Sequence, residues 1–384
     1  MMRDERRHLP SHNFAALLVH DLLFNRGGIQ AADGPIKQAI GRHKTRLQAE
    51  LAKTKIRRGA QSNEDLEQPS DPRAAKIPRY LRVNQNMWSI EEAVEYYSAR
   101  EYVASSVVGL PLQNQFSHDI HVPDLFIFNS NYPLHSDEAY KTGKMIAQDK
   151  ASCFPALVLN PPISKDACVI DATAAPGNKT SHLSSLMKNQ GNIFAFERNE
   201  RRFQTLKDML RKTGCINVEP ILGDFLDQDP NNELFARVTH ILLDPSCSGS
   251  GIVNRLDYLT SENASDDAPR LASLSIFQRK MILHAMKFPA VTRIVYSTCS
   301  IHIEENEAVV EAVLRERPWS QEFILAHRTQ VLPNWDRRGA FHGALSLDQM
   351  NSLVRCSPGE DIPGTNGFFV ACFVRKVIAN PSRG

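Results

Sequence analysis

Long apolar runs are missing from this chain of 384 residues. A bilayer-spanning helix needs about 20 consecutive apolar residues. The best stretch, Phe14 to Phe24, is shorter and carries His20 and Asp21. Those two residues also break it as a secretion-signal core, so no membrane partner is expected. Paired cysteines are missing too. Seven cysteines occur, an odd number, and none stands at C-x-x-C spacing. A disulfide framework and a zinc site are both disfavoured, and no metal is expected. An excess of either charge is absent: 45 Lys and Arg face 43 Asp and Glu, for a formal net charge of +2. With 42% hydrophobic and 23% charged residues, the composition is that of a globular chain. The length suits two or three domains.

The charge that is present is unevenly spread. Residues 1–60 hold twelve Lys and Arg and five Asp and Glu, a net +7, which leaves −5 for the remainder. A basic arm on a near-neutral body fits contact with a polyanion, and equally a solvated helix face. If the partner is a nucleic acid, neutralising Arg42, Lys44 and Arg46 should reduce the salt dependence of binding.

The chain divides into a basic helical region over 1–59, a linker over 60–75, a small α/β module over 76–150 assigned to RNA binding, and a larger α/β domain over 151–384. Residues 14–24 and 36–58 read as helices, the second with Ile40, Leu47, Leu51 and Ile56 at roughly helical spacing. Tyr80–Val83 reads as a strand. Ser89 caps a helix from Ile90 to about Ser98, with Glu92 completing a capping box. Val122 to Phe128 is a further apolar stretch.

From about 165, strands and helices alternate. Strand Cys168–Asp171 precedes helix Lys179–Lys188. Strand Ile193–Phe196 precedes helix Glu200–Lys212. Strands Val218–Leu222 and Ile241–Asp244 follow, then helix Leu271–Lys287, strand Ile294–Ser297 and helix Ile303–Arg315. Leu353–Cys356 and Phe368–Val374 close the pattern as an antiparallel pair at the sheet edge. Such alternation predicts a mostly parallel sheet wound on both faces, made mixed by the closing pair, with seven strands in all. Leu259–Pro269, rich in Ser, Asn and Asp, reads as a surface loop.

Three motifs follow strands of this sheet. The first, Asp171-Ala-Thr-Ala-Ala-Pro-Gly-Asn-Lys-Thr180, leaves a strand and opens a helix, the place where α/β sheets bind nucleotides. Small residues admit a ligand close to the backbone, and a helix N-terminus favours an anionic group. The loop lacks G-x-G-x-x-G, and Asn178 separates Gly177 from Lys179, so neither a nicotinamide fingerprint nor a P-loop is present. Glu197 ends the next strand, where a carboxylate suits a ribose diol. Asp224 ends the third, within reach of an adenine amine. The other two motifs are Asp244-Pro-Ser-Cys247-Ser-Gly-Ser-Gly251 and Ser297-Thr298-Cys299-Ser300. Both lie at carboxyl ends of strands and face one crevice. Cys153, Cys168, Cys215, Cys356 and Cys372 read as structural. Asn160-Pro-Pro-Ile163 reads as a turn: it precedes the cofactor loop and lacks the aromatic residue of an amino-methylating N-P-P loop.

Two thiols and a carboxylate suit one reaction well. Carbon 5 of a pyrimidine is a poor nucleophile. A thiolate added to carbon 6 makes the ring enamine-like, able to attack a methyl donor. The adduct must then lose the carbon-5 proton and expel the sulfur. Asp244 can hold N3 and the exocyclic amine as charge develops.

These motifs, with Glu304-Glu305-Asn306-Glu307, Gln148-Asp149-Lys150-Ala151-Ser152 and Gly367-Phe368-Phe369-Val370-Ala371, resemble the Sun-domain family of RNA cytosine-5 methyltransferases over roughly residues 14–376. The Pro-Ser-Cys form and Gly41-Arg-His-Lys-Thr-Arg-Leu-Gln-Ala-Glu-Leu51 resemble the member-five subgroup, which methylates large-subunit ribosomal RNA. The resemblance implies a class I, Rossmann-like methyltransferase domain using S-adenosyl-L-methionine. It implies Cys299 as nucleophile, Cys247 as the cysteine that helps resolve the adduct, and Asp244 beside them. Thr173, Ala174, Ala175, Pro176, Gly177, Asn178, Lys179, Glu197, Asp224 and Asp244 match the cofactor-binding positions. Thr173 stands where members usually have Cys, and Glu197 where Asp is common. Ribosomal RNA of the large subunit is the implied partner, nucleus and nucleolus the implied location, and a monomer is expected. Methylation of a protein or small molecule, and a non-catalytic RNA-binding assembly role, are the rival readings.

Overall fold

The computed structural model describes residues 4–25, 27–29, 32–63, 66, 73–106, 109–253 and 268–376. The chain forms two compact units, residues 1–70 and 71–384. The first contains helices α1 (His12–Phe24), α2 (Pro35–Gly41) and α3 (Lys44–Arg58). Ser11 caps α1 by accepting from the Phe14 amide, and Pro35 starts α2 at a position that needs no amide hydrogen. Leu9, Ala15, Leu18, Ile29 and Ile40 form the small core of this unit.

The helix expected over 36–58 is two helices. Glu5, 37 residues earlier, takes both arms of the Arg42 guanidinium at 2.8 and 2.6 Å, and His43 lies 3.4 Å away. These contacts turn the chain out of helical geometry at His43. Arg42 is therefore a structural residue of this unit, whereas Lys44 and Arg46 are exposed. Nothing on α3 is fully buried, and Ile56 is 81% exposed, so the expected apolar stripe does not form one face.

The second unit opens with a five-stranded sheet in the order β2-β3-β4-β1-β5. Its strands are β1 (Arg79–Val83), β2 (Val103–Ser105), β3 (Gln115–His118), β4 (Leu125–Phe128) and β5 (Met145–Ala147), with α4 (Ile90–Ser98) after β1 and the short α5 (Glu138–Lys141) before β5. The expected capping box is present: the Ser89 hydroxyl accepts from the Glu92 amide and the Glu92 carboxylate from the Ser89 amide. Tyr97 of α4 is fully buried among Phe116, Phe126 and Phe128.

Helix α6 (Lys150–Leu159) leads into the larger sheet. That sheet holds β6 (Cys168–Asp171), β7 (Asn192–Glu197), β8 (Val218–Leu222), β9 (His240–Leu243), β10 (Arg293–Thr298), β11 (Phe323–Leu325), β12 (Val354–Cys356) and β13 (Phe368–Arg375). Helices α7 (Asn178–Leu186), α8 (Glu200–Lys212), α9 (Ala268–Ala285), α10 (Glu307–Arg315), α11 (Trp319–Glu322) and α12 (Leu347–Asn351) connect or flank the strands. Strands β10, β9, β6, β7 and β8 are parallel neighbours in that order. The order reverses between β6 and β9, which opens a crevice at their carboxyl ends. Burial on both faces explains the apolar runs of β6, β9 and β10.

The α/β class is as expected, and the sheet is mixed, but it has eight strands instead of seven. The additional β11 is three residues long, too short to show a periodic pattern, and exists by pairing with the end of β13. Strand β13 is also not at the edge. One side pairs antiparallel with β10, and the other takes β12 and then β11. The turn at Asn160 to Ile163 follows α6, with Asn160 in a left-handed conformation at the helix end. Most of the loop expected over 259–269 lies outside the described residues. Among those described, no helix is long and apolar enough to cross a membrane, and no cluster of His, Cys, Asp and Glu is placed to hold a metal.

Candidate functional site

The loop after β6 begins at Asp171, whose buried carboxylate accepts from the Thr180 hydroxyl at 2.8 Å and so ties the strand end to the first turn of α7. Burial pushes the Asp171 pKa up to about 6. Gly177, at φ +112°, lies against α8, where a Cβ would stand 3.0 Å from Met209 and 3.3 Å from Leu206. Glycine is needed there for both conformation and space. The Ala174 amide donates to the Phe196 carbonyl, and the Ala175 carbonyl accepts from Arg202 at 2.7 Å. The loop backbone thereby joins α7 to β7 and α8.

Lys179, the second residue of α7, points back to the sheet. Its ammonium lies 2.8 Å from Asp244 Oδ2 and donates to Ser152 Oγ at 3.0 Å. Burial opposes that charge, but the Asp244 carboxylate outweighs it, and the lysine pKa lies above its ordinary value. The other Asp244 oxygen accepts from the Ser297 hydroxyl at 2.7 Å. The Asp244 amide donates to the Thr173 hydroxyl at 3.0 Å. Thr173 thus has a use of its own: it links the loop after β6 to the loop after β9.

Cys247 and Cys299 meet. Their sulfurs are 3.2 Å apart and both side chains are half-buried. The hydrogen bond from Cys247 holds the Cys299 thiol below its ordinary pKa, with Lys179 helping and burial and Asp244 opposing. Cys247 moves the other way, because Cys299 accepts its proton and burial disfavours its charge. The contact therefore favours the charged form on Cys299 and the protonated form on Cys247. Cys153, Cys168, Cys356 and Cys372 are buried and Cys215 is partly exposed.

A cavity of about 360 Å³ opens beside this pair. Thr173, Glu197, Asp224, Asp244, Cys247 and Cys299 all line it, with Phe196, Phe225, Phe277 and Met281 as apolar walls. The size and the mix of apolar walls with a few polar groups are those of a small-molecule site. Glu197 is held by the Asn199 amide at 2.8 Å and lies 3.5 Å from Arg202. Asp224 accepts from the Leu226 amide and lies 3.3 Å from Arg198. Of the loop residues, Ala172 and Thr173 line the cavity. Ala174, Ala175, Pro176, Gly177, Asn178 and Lys179 are not among its lining residues, and Lys179 serves Asp244.

No motif in the sequence singles out Gln278, Glu305 or Asn306 individually. Glu305 and Asn306 fall in the acidic run after Ser-Thr-Cys-Ser, which was the available signal; Gln278 has none. The structure also explains two further motifs of the sequence. Asp149 caps α6 through the Ala151 amide and accepts from the Asn366 side chain at 2.6 Å, which brings 148–152 beside 366–367.

Comparisons with known proteins show the family. The 16S rRNA methyltransferase RsmB/F family matches residues 156–374. The N-terminal and ferredoxin-like domains of NOL1/NOP2/Sun domain family member 5 match 2–66 and 77–148. A 25S rRNA (cytosine-C(5))-methyltransferase of Schizosaccharomyces pombe is 41% identical over 94% of this chain and 76% of its own length. A 28S rRNA (cytosine-C(5))-methyltransferase of Mus musculus is 39% identical over 100% of this chain and 80% of its own. Among solved structures, a methyltransferase homologue from Pyrococcus horikoshii superposes with a TM-score of 0.61 at 24% identity, covering 98% of this chain and 99% of that one, and so shares the fold. Matched along its length by these families and relatives, this chain belongs to the RsmB/F family of rRNA methyltransferases, in the branch of NOL1/NOP2/Sun domain family member 5.

Proposed function

We propose that the protein methylates carbon 5 of a cytosine in large-subunit ribosomal RNA with S-adenosyl-L-methionine, through a transient bond between Cys299 and carbon 6. The observation that carries this reading is the polarised sulfur pair on the wall of a cavity shared with Asp244, Glu197 and Asp224.

The cavity suits the cofactor by its chemistry. Carboxylates at the ends of β7 and β8 can accept from ribose hydroxyls and an adenine amine, and Phe196, Phe225 and Phe277 offer apolar contact to the rings. Glu197 and Asp224 would hold the nucleoside end. When bound, the cofactor supplies an electrophilic methyl group.

The remaining work belongs to the chain. Cys299, as thiolate, adds to carbon 6 of the base and raises electron density at carbon 5. Asp244, already oriented by Ser297 and Lys179, faces the N3 edge and steadies it as charge moves onto the ring. After methylation the carbon-5 proton leaves, the carbon–sulfur bond breaks and aromaticity returns. Cys247, 3.2 Å from the bonding sulfur, is placed to assist that release. The base must reach the thiol unpaired or flipped from its helix. A substrate made during ribosome assembly would fit a protein of the nucleus and nucleolus.

Cys299→Ala should abolish both methyl transfer and any covalent RNA adduct. Cys247→Ala should retain adduct formation and accumulate a slow-migrating protein–RNA band on a denaturing gel. Bisulfite sequencing of large-subunit RNA from cells with and without the protein locates the base. An unchanged methylation map would reject the substrate.

A further inference from the structure

Residues 305 and 306 are consecutive, yet they brace different cysteines. Asn306 holds both neighbours of Cys299. Its Oδ1 accepts from the Thr298 hydroxyl at 2.6 Å, and its Nδ2 donates to the Ser300 carbonyl at 2.9 Å. Glu305 reaches the other loop. Its carboxylate is fully buried and accepts from the Ser248 amide at 2.9 Å, the Ser248 hydroxyl at 2.6 Å and Gln278 Nε2 at 3.0 Å. The same Gln278 nitrogen donates to the Ser246 carbonyl at 3.1 Å. Gln278 is itself fully buried on α9. Cys247 is thus gripped at the residue before it by Gln278 and at the residue after it by Glu305. Ser246 is the residue that distinguishes the Pro-Ser-Cys loop, and Gln278 is what holds it.

A buried carboxylate fully served by hydrogen bonds is a rigid anchor, because any displacement leaves charge unsolvated. The backbone of Glu305 is held as well, since its carbonyl accepts from the Tyr296 hydroxyl at 2.5 Å. We infer that the Gln278–Glu305 pair positions the Cys247 sulfur against Cys299, and thereby controls release of the RNA adduct, while Asn306 positions Cys299 for its formation. Gln278 and Glu305 are positioning residues: they act through Cys247. The inference rests on the methylation reading for the release step, and on the hydrogen bonds of Gln278 and Glu305 for the position of the sulfur.

Gln278→Met tests it. Methionine is similar in length and loses both donated bonds. It also removes Gln278 Oε1, which is buried without a hydrogen-bond partner among the described residues, and this offsets part of the cost of leaving Glu305 and the Ser246 carbonyl one donor short. The full chain is treated with iodoacetamide and the labelling of each cysteine is followed by peptide mass spectrometry. Cys247 should label at least about five-fold faster than in the wild type, and the pH at which Cys299 becomes reactive should rise as its hydrogen bond from Cys247 weakens. With unmodified large-subunit RNA transcript and cofactor, turnover should fall about ten-fold while covalent adduct accumulates. Asn306→Ala should instead reduce the adduct itself. Unchanged Cys247 labelling, or a loss of turnover without adduct accumulation, overturns the inference. If Gln278→Met lacks a cooperative melt, Ser248→Ala, which removes one donor to Glu305, is judged by the same readings. Labelling needs no RNA. A wild-type chain that methylates nothing would therefore sink the release role and the proposed function together, and the labelling would still decide the position of Cys247.

Discussion

At the residue scale, the site depends on charges that are held where water does not screen them. Asp171 illustrates the cost. Its pKa is raised from the model-peptide 3.8 to about 6 by burial, so folding disfavours its ionised form. A carboxyl with a raised native pKa is fully tolerated when protonated and weakens the fold as pH climbs from about 4 to about 6. Asp171→Asn should therefore raise stability at pH 7.5 by up to about 3 kcal/mol, seen as a higher melting temperature, and bring little gain at pH 4. Thermal melts of both proteins across that range test the sign. A benefit that grows on acidification would refute it. The carboxylate stands despite that cost at the join between β6 and α7, which the loop needs to turn. The cysteines show the opposite management of charge, with one thiol lowered by its neighbour's proton and that neighbour raised in return.

At the scale of elements, the two cysteine loops are held together by close backbone approach. The Gly251 amide donates to the Cys299 carbonyl at 3.0 Å, and the Gly367 amide donates to the Gly251 carbonyl at 2.8 Å. A Cβ on Gly251 would stand 2.2 Å from the Gly367 carbonyl oxygen, which is backbone and cannot swing aside. Gly251→Ala should push the loop after β9 away from β13 and cost about 1–3 kcal/mol. It should also reduce methyl transfer by more than its stability loss explains, measured as turnover at a temperature where both proteins are folded. Turnover at the wild-type level would show that the approach is not needed for the thiols to meet. Much at this scale was legible beforehand. The capping box at Ser89 and Glu92 is a local pattern, and so are the apolar strands that end in acidic or cysteine motifs. The break at Arg42–His43 was not legible, since its cause is Glu5, far away in sequence. Nor was β11, whose three residues are a strand only because β13 leaves them an edge.

At the scale of the whole molecule, the small sheet and the catalytic sheet of the second unit share buried polar contacts. Lys150, at the start of α6, lies 2.6 Å from Asp119 of the small module, and both side chains are fully buried. Arg82 of β1 is buried as well and donates to Gln148, to Ser181 and to the Asn178 carbonyl. The module therefore touches the first turn of α7, one residue from Lys179. Lys150→Met would leave Asp119 buried without its cation, a loss of about 3–5 kcal/mol. Chemical denaturation should show that loss as a lower midpoint of a single transition. A separate early transition of the module alone would mean the pair does not couple the two sheets.

The amino-acid sequence by itself determined the class of fold, the strand ends that bear chemistry and the identity of the two cysteines, because strand–turn–helix patterns and short motifs are local and survive being read in one dimension. Only the tertiary structure decided that Cys247 and Cys299 lie in contact, that Lys179 serves Asp244, and that Gln278 and Glu305 grip the Cys247 loop. Each of these is a meeting of residues from separate elements inside a poorly solvated interior. There a few ångströms decide which group keeps the proton, and no spacing along the chain records such a distance.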